Sequence, residues 1–354
     1  MKILLLPGDG IGPEIMAATE RAMTALDRRF GIGFSFETAD VGAPALAATG
    51  STVPDGLIER ARTFDAVLLG PVDTASYPPA DQGGINPSAA FRRGLDLYAN
   101  IRPSRTRPGV PALAQMDLVV VRENTEGFYA DRTMFAGGGE FMPTPDLALA
   151  VRKITRHGSE RVVRAACEIA RTRAKRLTIV HKGNVLKQSD GLFREAALKV
   201  AADYPDIEID EVLVDAMASL LVRQPEAYDV LVSTNMFGDI LSNEAAELSG
   251  GLGLAPSVNA GDGIAIAQAS HGAAPDIAGT DAANPTALIV SAAMLLDRIG
   301  RETGENVLVE AAAATEAAVD RLLALPETRT ADLGGALGTG AFGDAVAAEI
   351  GKDR

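Results

Sequence analysis

Short apolar runs alternate with longer amphipathic stretches along most of the chain. KILLL reads as a buried strand that breaks at Pro7 into the glycine-rich turn PGDGIGPE, with Pro13 at or near the first turn of a helix through about residue 28. GIGFSFETA is a second strand candidate, and FDAVLLGPV a third after the charged stretch DGLIERARTF. The alternation resumes beyond residue 115 with DLVVVREN, KRLTIVHK, EIDEVLVDAM and YDVLVSTN, each leading into a turn or helix. This is the α/β pattern with a substantially parallel sheet, in which strand ends carry functional groups more often than strand middles do. FYADRTMFAGGGEFMPTP breaks the alternation with Gly, Pro and aromatic residues and predicts a protruding arm or hairpin. Alanine-rich helices follow from ANPTALIVSAAMLLDRIG onward, EAAAATEAAVDRLLAL among them, and are expected to pack back on the first strands as part of a discontinuous domain.

Composition narrows the partners. A chain of 354 residues, 47% apolar, is long enough for roughly two domains with substantial cores. A formal net charge of −14 argues against a broad nucleic-acid footprint, so any anion must be gripped by a local cationic pocket. The single cysteine, Cys167, allows neither an intrachain disulfide nor a cysteine-based zinc cluster and fits a reducing cytoplasm. Within VVRAACEIA it reads as a small buried hydrophobe. The opening apolar run is too short for a signal peptide, and no later stretch reaches membrane-spanning length without polar interruption, so a cytoplasmic location without membrane association is expected.

Candidate chemistry gathers at the strand ends. FRRGLDLYANIRPSRTRPG concentrates Arg92, Arg93, Arg102, Arg105 and Arg107, and Arg122 ends the apolar run VVVREN. For Arg93, Arg105 and Arg107 a solvated basic face is an equal reading. Guanidinium forks grip carboxylates in bidentate geometry, so several of them meeting at strand ends suit a substrate with two or three carboxylates. Lys182 follows KRLTIVH, and Tyr129 stands at the entrance of the arm; both residue types transfer protons when their surroundings tune them. His157 and His181 lack metal-ligand spacing and read as satisfied structural histidines. Asp215 closes EVLVD, and NMFGDILSNEA sets Asp239 and Asn243 four residues apart on one helix face, with Glu244 and Glu247 nearby. Oxygen ligands from separate elements favour Mg²⁺ or Mn²⁺ over the bland reading of a polar surface helix. The glycines at 8, 10 and 12 miss the G-x-G-x-x-G spacing of the Rossmann fingerprint, whereas HGAAPDIAGTDAANP offers His271, small residues and Asp276 for a nucleotide.

Taken in order, PGDGIGPE, LDLYANIRP, VVRENTEGFY, HKGNVLKQSDGLFRE, VDAMA, NMFGDILSNEA and HGAAPDIAGTDAANP resemble the isocitrate and isopropylmalate dehydrogenase family of metal-dependent β-decarboxylating dehydrogenases. The resemblance implies a two-domain α/β subunit with a non-Rossmann nucleotide site. Residues 1–98 and 250–354 would form the larger, discontinuous nucleotide-binding domain, and residues 99–249 the smaller dimerisation and catalytic domain with an intersubunit arm at about 130–145. It also implies a homodimer with shared active sites. Arg92, Arg102 and Arg122 match the carboxylate-binding arginines, with Asn86 and Ser88 beside them. Tyr129 and Lys182 match the catalytic pair, and Asp215, Asp239 and position 243 the metal ligands, Lys182 and Asp215 reaching in from the neighbouring subunit. The family usually carries aspartate where this chain has Asn243. His271, Gly272, Ala274, Pro275, Asp276, Ile277 and Asn284 match the nucleotide segment, and Asp276 with Ile277 favours NAD over NADP.

The chemistry so implied is hydride loss from a 2-hydroxy acid while Lys182 helps remove the hydroxyl proton. The metal-polarised β-keto acid then loses carbon dioxide, and Tyr129 helps protonate the enol. Asn86 and Ser88 favour isocitrate among the 3-substituted malates. Isopropylmalate, then homoisocitrate, tartrate or malate, are the alternatives, and a noncatalytic ligand-binding α/β protein is the competing class.

Overall fold

The structure is a computed structural model that describes residues 1–129, 134 and 138–352. Strand β1 (Lys2–Leu6) buries its last four residues, turns at Gly8 and Gly10 and enters helix α1 (Gly12–Phe30), with Pro13 in the first turn and left-handed Gly31 closing it. β2 (Ser35–Thr38), α2 (Ala43–Thr49), α3 (Leu57–Ala61), β3 (Ala66–Leu69) and α4 (Pro87–Gly94) complete the first stretch. β4 (Ala99–Arg105) and β5 (Asp117–Glu123) form an antiparallel pair, and β6 (Glu140–Thr144) and β7 (Leu147–Ala150) a separate exposed hairpin. Then come α5 (Arg156–Arg171), β8 (Arg176–His181), α6 (Ser189–Ala201), β9 (Glu208–Leu213), α7 (Val214–Arg223), β10 (Val230–Ser233) and α8 (Asn235–Ser249). The chain ends with β11 (Val258–Ala260), β12 (Ala265–Ala267), α9 (Thr286–Thr303), α10 (Asn306–Ala324) and α11 (Thr339–Lys352).

All strands but the hairpin join one ten-stranded sheet in the order β2-β1-β3-β12-β11-β4-β5-β10-β8-β9. Both flanks are parallel, and the middle is antiparallel through β12, β11, β4 and β5. Its apolar strands are covered by helices, as a largely parallel sheet requires. One core joins β1, β3, β11 and β12 to α1, α9, α10 and α11, so the alanine-rich tail does return to the first strands. Leu288, Leu323 and Phe342 are buried there, each contributing roughly 1.5–3 kcal/mol. A separate core packs β5, β8 and β10 against α5 and α6 and includes Cys167, whose thiol is pushed up to about 12 by burial. No helix among the described residues is long and apolar enough to cross a membrane.

The described hairpin begins at Glu140 and runs to Ala150, while residues 130–133 and 135–137 of the expected arm lie outside the described residues. One expectation needs correction. Arg105 and Arg107 form no solvated basic face: both pair with Glu316 and Asp320 of α10, and Arg107 is 4% exposed.

Candidate active site

The middle of β4 and the end of β5 bring two guanidinium groups under α8. Arg102 and Arg122 are both buried, and each donates to Oδ1 of Asp239, Arg102 Nη1 at 3.0 Å and Arg122 Nη1 in a short contact. Arg122 is held from its other edge by Asn235 Oδ1, which accepts from Nε at 3.0 Å and Nη2 at 2.7 Å. Gly238 makes this approach possible, since a Cβ there would lie 2.8 Å from the Arg122 Cβ. Arg102 also donates to Ser242 Oγ at 2.9 Å and, in another short contact, to Asn100 Oδ1. Burial pulls the Arg102 guanidinium below its ordinary pKa, and the carboxylate of Asp239 pulls it back up. Removing Asp239 would take away a carboxylate that two buried guanidinium groups share, and should destabilise the fold by about 3–5 kcal/mol. The Tyr129 ring lies 6.0 Å from the Arg122 guanidinium carbon, within cation–π range.

Helix α4 supplies the next groups. Asn86 caps it, accepting from Ala89 N at 3.0 Å, and Pro87 occupies its first turn. The carboxamide oxygen of Asn86 is thereby committed to the helix. Ser88 Oγ accepts from Gln268 Nε2 at 2.8 Å, and Arg92 Nε donates to Asn259 Oδ1 at 3.2 Å. The predicted α4 residues are therefore tied through β11 and the residue following β12 to the arginines of β4 and β5.

Lys182 and Asp215 stand together at the ends of β8 and β9. Their side chains pair at 2.5 Å, and that bond holds the exposed Asp215 carboxyl below the usual carboxylate range. Among the described residues, no group of three His, Cys, Asp or Glu side chains within the subunit could hold a metal ion. Asp239 and Asn243 lie one turn apart on α8, Asn243 exposed and Asp239 half-buried, and both arginines meet Asp239 at the same oxygen, Oδ1. A carboxylate and an amide oxygen at that spacing fit a hard divalent cation as two of its ligands. Glu244, next along the helix, has its carboxyl pushed up by burial.

The nucleotide candidates form a turn against the PGDGIG loop. Gly10, at φ 55°, leaves no room for a Cβ, which would stand 2.0 Å from Ala273 O, and Ile11 N donates to that same oxygen at 2.9 Å. The early glycines thus seat the later segment. Ala274 adopts a left-handed φ of 39°, and Pro275, Asp276 and Ile277 form a single 3₁₀ turn with Asp276 exposed. Gly272 has open space where a Cβ would be. Asn284 Oδ1 accepts from Thr286 N at the start of α9, and its Nδ2 donates to Asp332 at 3.0 Å. Burial lowers the pKa of His271 and favours neutral imidazole, whose Nδ1 lies 3.0 Å from Gly272 O. With Nδ1 donating to that carbonyl, Nε2 is a buried acceptor without a partner among the described residues. An orphaned acceptor beside an open glycine fits the amino edge of an adenine ring.

A family model described as Isocitrate/isopropylmalate dehydrogenase matches residues 2–346. The chain belongs to that family. It is 42% identical over 347 residues to the isocitrate/homoisocitrate dehydrogenase of Thermus thermophilus, covering 98% of this chain and 97% of that protein. The 3-isopropylmalate dehydrogenase of Methanothermobacter thermautotrophicus is 41% identical over 341 residues, covering 96% of this chain and 95% of that one. The crystal structure of isocitrate dehydrogenase from Methylococcus capsulatus superposes with a TM-score of 0.88 at 38% identity, over 99% of each chain. The two-domain α/β fold of isocitrate/isopropylmalate dehydrogenases is therefore the fold of this protein.

This member of the family also shows what its charged motifs concealed. Asn100, Asn124, Asn235, Asn259 and Gln268 are buried and carry the hydrogen bonds that orient or link the predicted residues. Neutral amides give no charge signal, although Asn100, Asn124 and Asn235 lie inside the quoted motifs. His181 is a satisfied structural histidine, accepting from Gly183 N at 3.0 Å. His157 corrects the same expectation, because it is exposed on α5.

Proposed function

We propose that this protein oxidises and decarboxylates a 3-substituted malate, using NAD and Mg²⁺ or Mn²⁺, with isocitrate as the favoured substrate. The observation that carries the reading is the buried arginine network. Arg92, Arg102 and Arg122 are linked through neutral amides and the carboxylate of Asp239, and guanidinium groups gathered in this way suit a di- or tricarboxylate. Membership in the family supports the same reaction class.

Asp239 and Asn243 would hold the divalent ion, with Asp215 of a neighbouring subunit, and His271, Gly272, Ala274, Pro275, Asp276, Ile277 and Asn284 the nucleotide. Bound there, the nicotinamide supplies a hydride acceptor and the divalent ion a Lewis acid. Arg92, Arg102 and Arg122 orient the substrate carboxylates and keep their charge fixed throughout. Lys182 takes the proton of the 2-hydroxyl, and the Tyr129 hydroxyl delivers one to carbon after carbon dioxide leaves. The carboxylate of Asp276 would repel a 2′-phosphate, which favours NAD over NADP.

A domain division at 98/99 and 249/250 is supported by the strand order, in which β11 neighbours β4. Sharing of Lys182 and Asp215 across a homodimer is supported by their absence from the Asp239 cluster and by the apolar hairpin. Its Phe141, Met142, Leu147 and Leu149 are all exposed, which suits burial against a second copy.

Asn86 and Ser88 of α4 favour the polar arm of isocitrate over the isopropyl group of isopropylmalate. Initial rates for isocitrate, homoisocitrate, isopropylmalate, tartrate and malate, each with NAD or NADP and Mn²⁺, test this. The highest kcat/KM is expected for isocitrate with NAD. A kcat/KM for isopropylmalate about tenfold above that for isocitrate would reverse the substrate choice, and a clear NADP preference would reverse the cofactor.

A further inference from the structure

Three neighbouring strands present polar side chains in register on one face. Asn259 of β11 pairs with Asn100 of β4, and Asn100 in turn with Arg122 of β5. Asn259 and Asn100 are 2% and 0% exposed, so water cannot replace their bonds. Asn259 Oδ1 accepts from Arg92 Nε at 3.2 Å, Asn100 Nδ2 at 3.1 Å and Asn124 Nδ2 at 3.0 Å. Asn100 Oδ1 accepts from Arg102 Nε in a short contact.

The orientation of both amides follows from the ends of this chain. A guanidinium only donates, so Asn259 must turn its oxygen to Arg92, and Asn100 must turn its oxygen to Arg102. Asn100 then has its NH₂ group free for Asn259, and each donor meets an acceptor. The neutral amides fix the Nε edge of each guanidinium without adding a carboxylate at that edge.

We propose that Asn259 is a positioning residue of the substrate site, fixing Arg92 of α4 and, through Asn100, Arg102 of β4 at the spacing the substrate carboxylates require. It touches no reacting atom. The inference rests on the proposed function, which makes Arg92 and Arg102 substrate ligands.

A double-mutant cycle separates positioning from general support of the fold. Arg92→Lys keeps the charge and removes the Nε–H that Asn259 accepts. Asn259→Ala is expected to raise KM for the preferred acid about tenfold, with a much smaller fall in kcat and little change in the Kd for NAD. In the Arg92→Lys background the same substitution should raise KM by only about twofold or less, because the coupling has already been lost. If Asn259→Ala does not accumulate as folded protein, the cycle is run with Asn259→Ser, which stays polar but is one atom too short to reach Arg92. Independent, multiplying effects on KM, or parallel losses in kcat and NAD affinity, would overturn the positioning role. A wild-type protein that oxidises none of the acids would instead overturn the functional reading on which it rests.

Discussion

Asn243 stands exposed on α8, one turn beyond an aspartate already engaged by two buried arginines. An amide oxygen can ligate a divalent ion, but it brings no negative charge, so the change should weaken metal binding rather than abolish it. Asn243→Asp should lower the Mn²⁺ or Mg²⁺ concentration for half-maximal activity by roughly three- to tenfold. An activation titration reads this directly, and an unchanged midpoint would mean that residue 243 is not a ligand. At this scale the sequence exposes charged groups at strand ends and hides their supports. Arg102, Arg122, Lys182 and Asp215 stand out because each interrupts or ends an apolar run. Asn235 and Asn259 do not, because an uncharged amide becomes informative only when its partner is known, and those partners lie 113 and 167 residues away.

Helix α8 packs over Arg122, and Gly238 faces that side chain directly. Gly238→Ala forces either the helix or the arginine to move, so unfolding free energy should fall by about 1–3 kcal/mol. Displacement of Arg122 should also lower kcat/KM by roughly tenfold or more. Denaturant unfolding alongside steady-state kinetics checks both; a variant with unchanged stability and activity would show that α8 does not press on Arg122. The elements themselves are legible because their periodicity is local: KILLL, DLVVVREN and KRLTIVHK become β1, β5 and β8. The ion pairs that join elements are less so. Arg105 and Arg107 look like a solvated basic stretch until α10 places Glu316 and Asp320 beside them, 209 to 215 residues away in sequence. The hairpin is readable as an exception to the alternation, but its end is not, since LALA could continue a loop as readily as form β7.

Tyr129 lies beside the arginine cluster and Lys182 pairs with Asp215 at the ends of β8 and β9, and the proposed function joins the two groups across a pair of subunits. Tyr129→Phe and Lys182→Met should each be nearly inactive alone. After subunit exchange at equal amounts, about a quarter of the wild-type site activity should return, because half the dimers are mixed and each mixed dimer holds one intact site. Demonstrated exchange without recovery would contradict shared sites. The central claim is that oxidation and decarboxylation occur together on a 3-substituted malate with NAD and a divalent metal. Its most direct measurement is the stoichiometry of NADH formed and carbon dioxide released from isocitrate, with Mn²⁺ and then with excess chelator. The account predicts equal yields of the two products, both lost in chelator and both restored by added metal; NADH without carbon dioxide, or full turnover in chelator, would contradict it.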